Sequence, residues 1–156
     1  MHMNLLVDEM ARPEAILVLE DGTVFRGRSC GAEGEATGPI CFDTNIFGYQ
    51  AALGEAANDG AIVAFTYPQV GNFGINAEAP ARACAAGVVV HDMIYTPSSW
   101  KCEKSLPDYL AEQGIVGIED IDVRALVAHL RGKASMNATI KTVASDVPAK
   151  GGEANA

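Results

Sequence analysis

Ala15-Ile-Leu-Val-Leu19, Glu20-Asp-Gly22 and Thr23-Val-Phe-Arg-Gly-Arg28 read together as a β-hairpin. The first run is aliphatic and β-branched. Asp-Gly between two such runs is the strongest short-range hairpin signal, because the tight turn needs positive φ. On the returning strand Val24, Arg26 and Arg28 share one side and Phe25 takes the other, as a period of two requires. Ahead of the hairpin, residues 1–13 carry no sustained period and end at Pro13, so they read as an extension outside the core.

After the hairpin come a loop rich in Gly and Ala (Gly31 to Gly38) and a short strand around Pro39-Ile-Cys-Phe42. Asp43 to Leu53 reads as a loop entering a short helix over 47–53, and Gly54 and Asn58-Asp-Gly60 break the chain after it. Ala61-Ile-Val-Ala-Phe-Thr66 and Ala86-Gly-Val-Val-Val90 are continuous apolar runs, the pattern of strands covered on both faces. Tyr67-Pro68 ends the first, and Gly71-Asn-Phe-Gly74 is turn chemistry.

Two helices are signalled late. Ser105-Leu-Pro-Asp108 resembles a capping box, with Leu106, Tyr109 and Leu110 on one face and Gly114 as the stop. A strand Ile115-Val-Gly-Ile118 comes next. Asp122 then reads as an N-cap, Ile121 as a staple onto Leu126, and Leu126, Val127 and Leu130 as the buried stripe before Gly132. Ser135 to Thr142 reads as a last strand, and residues 143–156 as a linker or free tail. Strands first and helices late predict an α+β domain over 14–142, with layers of mixed β-sheet and two main helices.

The 156 residues suit one domain, and 49% hydrophobic residues suffice for a core. A formal net charge of −9 argues against nucleic acid and anionic membranes, which need a basic patch. No apolar run approaches the roughly 20 residues of a membrane span, so a soluble, cytoplasmic protein is expected. Cys30, Cys41, Cys84 and Cys102 are widely spaced without a CxxC pair, which favours reduced thiols over disulfides or a zinc site.

The sequence offers no catalytic and no metal-ligating residues. Nucleophile elbows and Ser-Lys pairs are missing, and the glycines at 22, 27, 31, 34 and 38 do not form a phosphate-binding loop. His2 falls in the extension, His91 comes after a buried strand, and His129 reads as a helix-edge residue bonded to a nearby acid. Glu119, Asp120 and Asp122 precede a helix, where capping and the macrodipole explain them. Two loops stand out instead: Phe47-Gly-Tyr-Gln50 and Thr66 to Asn76. They make Phe47, Gly48, Tyr49, Gln50, Tyr67, Gln69, Asn72 and Phe73 candidates for a recognition surface. The alternative is that Tyr49, Tyr67 and Phe73 plug the core.

These blocks resemble, in order, the N-terminal domain of the carbamoyl phosphate synthetase small subunit. The resemblance runs through Leu17 to Arg28, Gly48-Tyr-Gln50, Thr66-Tyr-Pro68 with Gly71-Asn72, Gly87 to Val90 with Asp92, Gly114 to Ile118, Ile121-Asp122 and Arg124-Ala-Leu126. It spans about Ala15 to Ile140. It implies a swivelling β/β/α domain that packs against the large, ATP- and Mg-using subunit, with no cofactor of its own. In the family a class I glutamine amidotransferase domain comes next and supplies ammonia for carbamoyl phosphate, on the arginine and pyrimidine pathways. That domain's nucleophile is not in this sequence, so glutamine hydrolysis by this chain alone is not expected.

In the family the segment Asn-Thr-Ser-Met-Thr-Gly-Tyr-Gln-Glu lies beside the glutamine site. Here it reads Asp43-Thr-Asn-Ile-Phe-Gly-Tyr-Gln-Ala51, which puts Asn45 at the glutamine-proximal serine position, Phe47 at the threonine and Ala51 at the glutamate. Gln69 stands where the family often has His, Val123 where it often has Thr, and Gly54-Glu-Ala-Ala57 where Thr-Asp-Pro-Ser is usual. The competing expectation is a divergent stand-alone paralogue that binds a protein or ligand through the same loops. The coding sequence beyond residue 156 would separate the two.

Overall fold

The computed structural model describes residues 12–44, 49–71, 74–75, 82–95 and 104–143. In chain order they form β1 (Glu14–Leu19), β2 (Val24–Gly31), β3 (Glu35–Asp43), α1 (Tyr49–Leu53), a single 3-10 turn (Ala56–Asn58), β4 (Ile62–Phe65) and β5 (Gln69–Val70). Then come β6 (Gly87–Val89), β7 (Asp92–Met93), α2 (Leu106–Gln113), β8 (Val116–Glu119), α3 (Val123–Leu130) and β9 (Asn137–Thr142).

The opening hairpin forms as read, with Val18 opposite Val24 and the Leu19 N–H bonded to the Thr23 carbonyl at 2.8 Å. The sheet around it is not a stack of layers, as expected, but a closed barrel in the order β1-β2-β8-β6-β4-β3-β9. Strands β3, β4, β6 and β8 pair in parallel, whereas every pairing of β1, β2 and β9 is antiparallel. Closure depends on β3, which serves two neighbours in succession: Glu35–Pro39 pairs with β9, and Ile40–Asp43 with β4. Its first half, Glu-Ala-Thr-Gly, has little strand propensity and reads as loop in the sequence. Pairing partners decide such stretches more than intrinsic preference does. Barrel closure also removes the exposed edges that an open sheet would leave.

Two apolar clusters result. The inner one fills the barrel with Leu17, Leu19, Ile62, Ala64, Val89, Ile118 and Ile140, and α3 caps it through Leu126 and Leu130. The outer one lies on the far face of the parallel strands, where Val63, Phe65, Val88 and Val90 pack under α1 and α2 through Leu53, Leu106 and Leu110. Parallel strands therefore lose both faces to the core, as expected from their unbroken apolar runs. Glycines sit where the two kinds of pairing meet. A Cβ at Gly117 on β8 would lie 2.3 Å from the Cys30 carbonyl oxygen on β2, and one at Gly38 on β3 would lie 2.0 Å from the Gly60 oxygen.

Both late helices begin as their caps dictate. Ser105 Oγ accepts from the Asp108 N–H at 3.2 Å, and Asp122 Oδ1 from the Ala125 N–H at 3.0 Å. Gly114 closes α2 in the left-handed region with φ 74°. Ile121 shares the inner cluster with Leu126, as a staple should. The last strand starts at Asn137 rather than Ser135.

One boundary needs correction. Residues 12 and 13 are not an extension outside the core: the Pro13 carbonyl accepts the Ser29 N–H at 2.8 Å, and Arg12 pairs with Glu119 at 3.0 Å.

Candidate functional site

Four parallel strands point their carboxyl ends one way, and parallel strands in open sheets and barrels alike commonly place their sites in the loops beyond such ends. Chain leaves β3 at Asp43, β4 at Phe65, β6 at Val89 and β8 at Glu119. The Asp43 carbonyl accepts the Thr66 N–H at 3.1 Å, which ties the loops after β3 and β4 together. The Asp120 N–H bonds the His91 carbonyl at 2.9 Å, tying the exits of β6 and β8. Asp120 has φ 69°, the single non-glycine residue in the left-handed region among those described. A groove of about 480 Å³ opens here, lined by Thr66, Pro68, His91, Asp120, Asp122 and Arg124. A second groove of about 450 Å³ continues from it along α3, past Thr44, Val127, Ala128 and Arg131.

Of the sequence-predicted residues, Tyr49, Gln50, Tyr67 and Gln69 are described. Tyr49 is 3% exposed and belongs to the outer cluster, its hydroxyl donating to the Gly74 carbonyl at 2.8 Å. Tyr67 is half-buried, edge-on to Phe65 with ring centroids 6.3 Å apart. Burial raises its phenol above the ordinary range, helped by the neighbouring Tyr49 and Asp43. Gln50 is half-buried at the start of α1, and Gln69 is exposed on β5, which pairs in parallel with β7. Asn45, Phe47, Gly48, Asn72 and Phe73 lie outside the described residues.

Beside the edge lies a polar cluster that the sequence does not announce. Glu119 is 6% exposed, and its carboxylate meets Arg12, the Tyr95 hydroxyl and, at 3.4 Å, the Met93 N–H. Arg12 stacks over the Tyr95 ring at 4.2 Å from its centroid. Burial pushes the Glu119 carboxyl up, against the opposing pull of the Tyr95 hydroxyl and Arg12. Glu119 is thus not a helix-capping acid, as expected, but the buried half of an ion pair. Asp122 does cap α3. No local pattern links residues 12, 95 and 119, so only the fold reveals them.

The Cys30 thiol and the His129 ring are both taken up by structure. Cys30 is buried and its thiol pushed up by desolvation and by Glu119. His129 is bonded to an acid as expected, Asp21 at 2.7 Å, with the Thr23 hydroxyl at 3.2 Å. Both contacts fall on Nε2, whereas a relay needs the acid and the nucleophile on opposite ring nitrogens. The trio is a clamp between α3 and the hairpin turn. Among the described residues no three His, Cys, Asp or Glu side chains gather as metal ligands, and no helix is long and apolar enough to cross a membrane.

Residues 17–140 match the family profile described as carbamoyl-phosphate synthase small chain, CPSase domain. The chain belongs to this family. It is 44% identical over 137 residues to the carbamoyl phosphate synthase small chain of Synechococcus sp., covering 86% of this chain and 35% of that protein. The small chain of Solidesulfovibrio magneticus is 46% identical over 135 residues (85% and 36%). That of Thermotoga maritima is 44% identical over 135 residues (85% and 34%). The chain thus spans about a third of the length of these small-chain relatives. For a carbamoyl phosphate synthase small-chain domain, the profile takes in every barrel strand except the ends of β1 and β9.

Proposed function

We propose that this chain is a non-catalytic assembly domain of a glutamine-dependent carbamoyl phosphate synthetase, a ligase of the arginine and pyrimidine pathways. In this reading it acts in the cytoplasm and docks a class I amidotransferase domain onto the large subunit, where ATP and Mg are used. The observation that carries it is the family match over residues 17–140, set against relatives about two and a half times as long. The fold suits the role: a closed barrel has no free strand edge for pairing, so recognition falls to the loops beyond the parallel strands. Asn45 would lie beside the glutamine site, with Gln50, Tyr67 and Gln69 near the same contact. In this reading the barrel and its helices correspond to the family's swivelling β/β/α domain.

Calorimetric titration against the cognate large subunit tests the reading. Saturable one-to-one association is expected, together with no glutamine hydrolysis by the chain alone. A flat titration at micromolar concentrations would remove the proposal's support.

A further inference from the structure

We infer that the groove along α3 receives an acidic segment of the large subunit, with an apolar side chain set between two carboxylates. This rests on the docking reading above and assigns it a surface. On α3 and its C-cap, Arg124, Ala128 and Arg131 stand at i, i+4 and i+7 and so share one face, with Val127 beside them. Both arginines are exposed and form no ion pair among the described residues. By the helical rise they stand about 10 Å apart along the axis. His129, also on α3, is turned away to Asp21.

The strip between the arginines is apolar, walled by Val127 and Ala128 and faced by Thr44 and Thr66. Asp120 and Asp122 line the adjoining groove beside Arg124, but among the described residues the strip itself is lined by two arginines and no carboxylate, which favours a partner of opposite charge. Guanidinium presents a fork that suits carboxylates, so the pair would set register while the strip supplies burial.

Among the described residues the chain moves away from this face after α3. Beyond α3 it runs down β9, and the Val143 N–H bonds the Glu14 carbonyl at 2.8 Å. That is about 20 Å from Asn137 by strand rise. What is joined after residue 143 therefore starts at the far end of the barrel from the groove, and the assignment to an acidic segment of the large subunit rests on the charge of the two exposed arginines. Thr44 at the rim borders the segment assigned above to the amidotransferase domain, so the two partners would meet there.

The test compares the wild type, the Arg124→Glu/Arg131→Glu double variant and Lys141→Glu on β9 by calorimetry with the large subunit at two salt concentrations. The double reversal should bind at least about tenfold more weakly and lose less affinity with added salt. Lys141→Glu should bind as the wild type does. Should the reversal unfold the chain, Arg124→Gln/Arg131→Gln replaces it, with a smaller loss expected. A double variant with wild-type affinity and salt slope overturns the inference and leaves the docking reading standing. A wild type that does not bind overturns the docking reading itself. A loss confined to a separately expressed amidotransferase domain overturns the assigned occupant.

Discussion

The parallel half of the barrel and its antiparallel half share one interior yet treat their outer faces oppositely. On β4 the outward side chains, Val63 and Phe65, are as buried as the inward Ile62 and Ala64. On β1 the inward Ala15, Leu17 and Leu19 are buried, while the outward Ile16 and Val18 are only half-buried. Helices α1 and α2 cover the parallel strands because parallel connections must cross over a face, whereas a hairpin needs no such cover. The loops beyond the strands then inherit the difference: the parallel half gathers its exits into the grooves, and the antiparallel half ends in turns.

The largest effect should come from the outer face itself. Phe65→Ala removes a fully buried ring and should cost about 3–5 kcal/mol in urea unfolding. Ile16→Ala, also outward but on β1, should cost no more than about 1 kcal/mol. Similar losses at the two sites would break the contrast between the halves.

A smaller effect probes the junction of the halves. Gly117→Ala places a methyl against the Cys30 carbonyl, and the β2–β8 ladder must part to accept it. A loss of about 1–3 kcal/mol is expected from such overpacking. A neutral result by the same urea assay would show the two halves to be joined loosely.

The smallest effect separates the halves by pH. Asp21, in the antiparallel hairpin turn, is lowered from 3.8 to about 2, first by the Thr23 backbone N–H and then by His129. Its stabilisation is present above pH 3.8 and is lost as pH falls towards about 2. Glu119, at the end of a parallel strand, is raised by burial, so its contribution is present below 4.5 and fades as pH rises through its folded value. Melting temperatures between pH 2 and 7 should therefore show a gentler acid decline for Asp21→Asn than for the wild type. Glu119→Gln should remove an opposing slope above pH 4.5. Parallel pH profiles for wild type and Asp21→Asn would dismiss the clamp as an influence on stability.

Much of this fold is legible in local sequence, because its signals are local. Asp21-Gly22 fixes the hairpin, Ser105 and Asp122 fix two helix starts, and the apolar runs at β4 and β6 announce strands covered on both faces. Closure of the barrel is not legible. It depends on Glu35–Pro39 finding β9 roughly a hundred residues later, and nothing in Glu-Ala-Thr-Gly advertises a strand. The two-residue strands β5 and β7 are too short to show any period. At the candidate groove, the loop read from Thr66 onward supplies Thr66 and Pro68 to the lining, while Tyr49 proves to be a core side chain. The arginines of α3 pass unnoticed because each looks like an ordinary solvated charge until the helix lines them up.

The pairing of Arg12 with Glu119 bears on where a working version of this domain can begin. The family profile match starts at residue 17, and regular strand at Glu14. Either would be a natural place to cut an expression clone. Both cuts delete the cation and strand a carboxylate in a dry site, a loss of about 3–5 kcal/mol for a broken buried pair. Electrostatics thus draws the domain's border ahead of the first strand, and a clone that opens several residues before Arg12 respects that border.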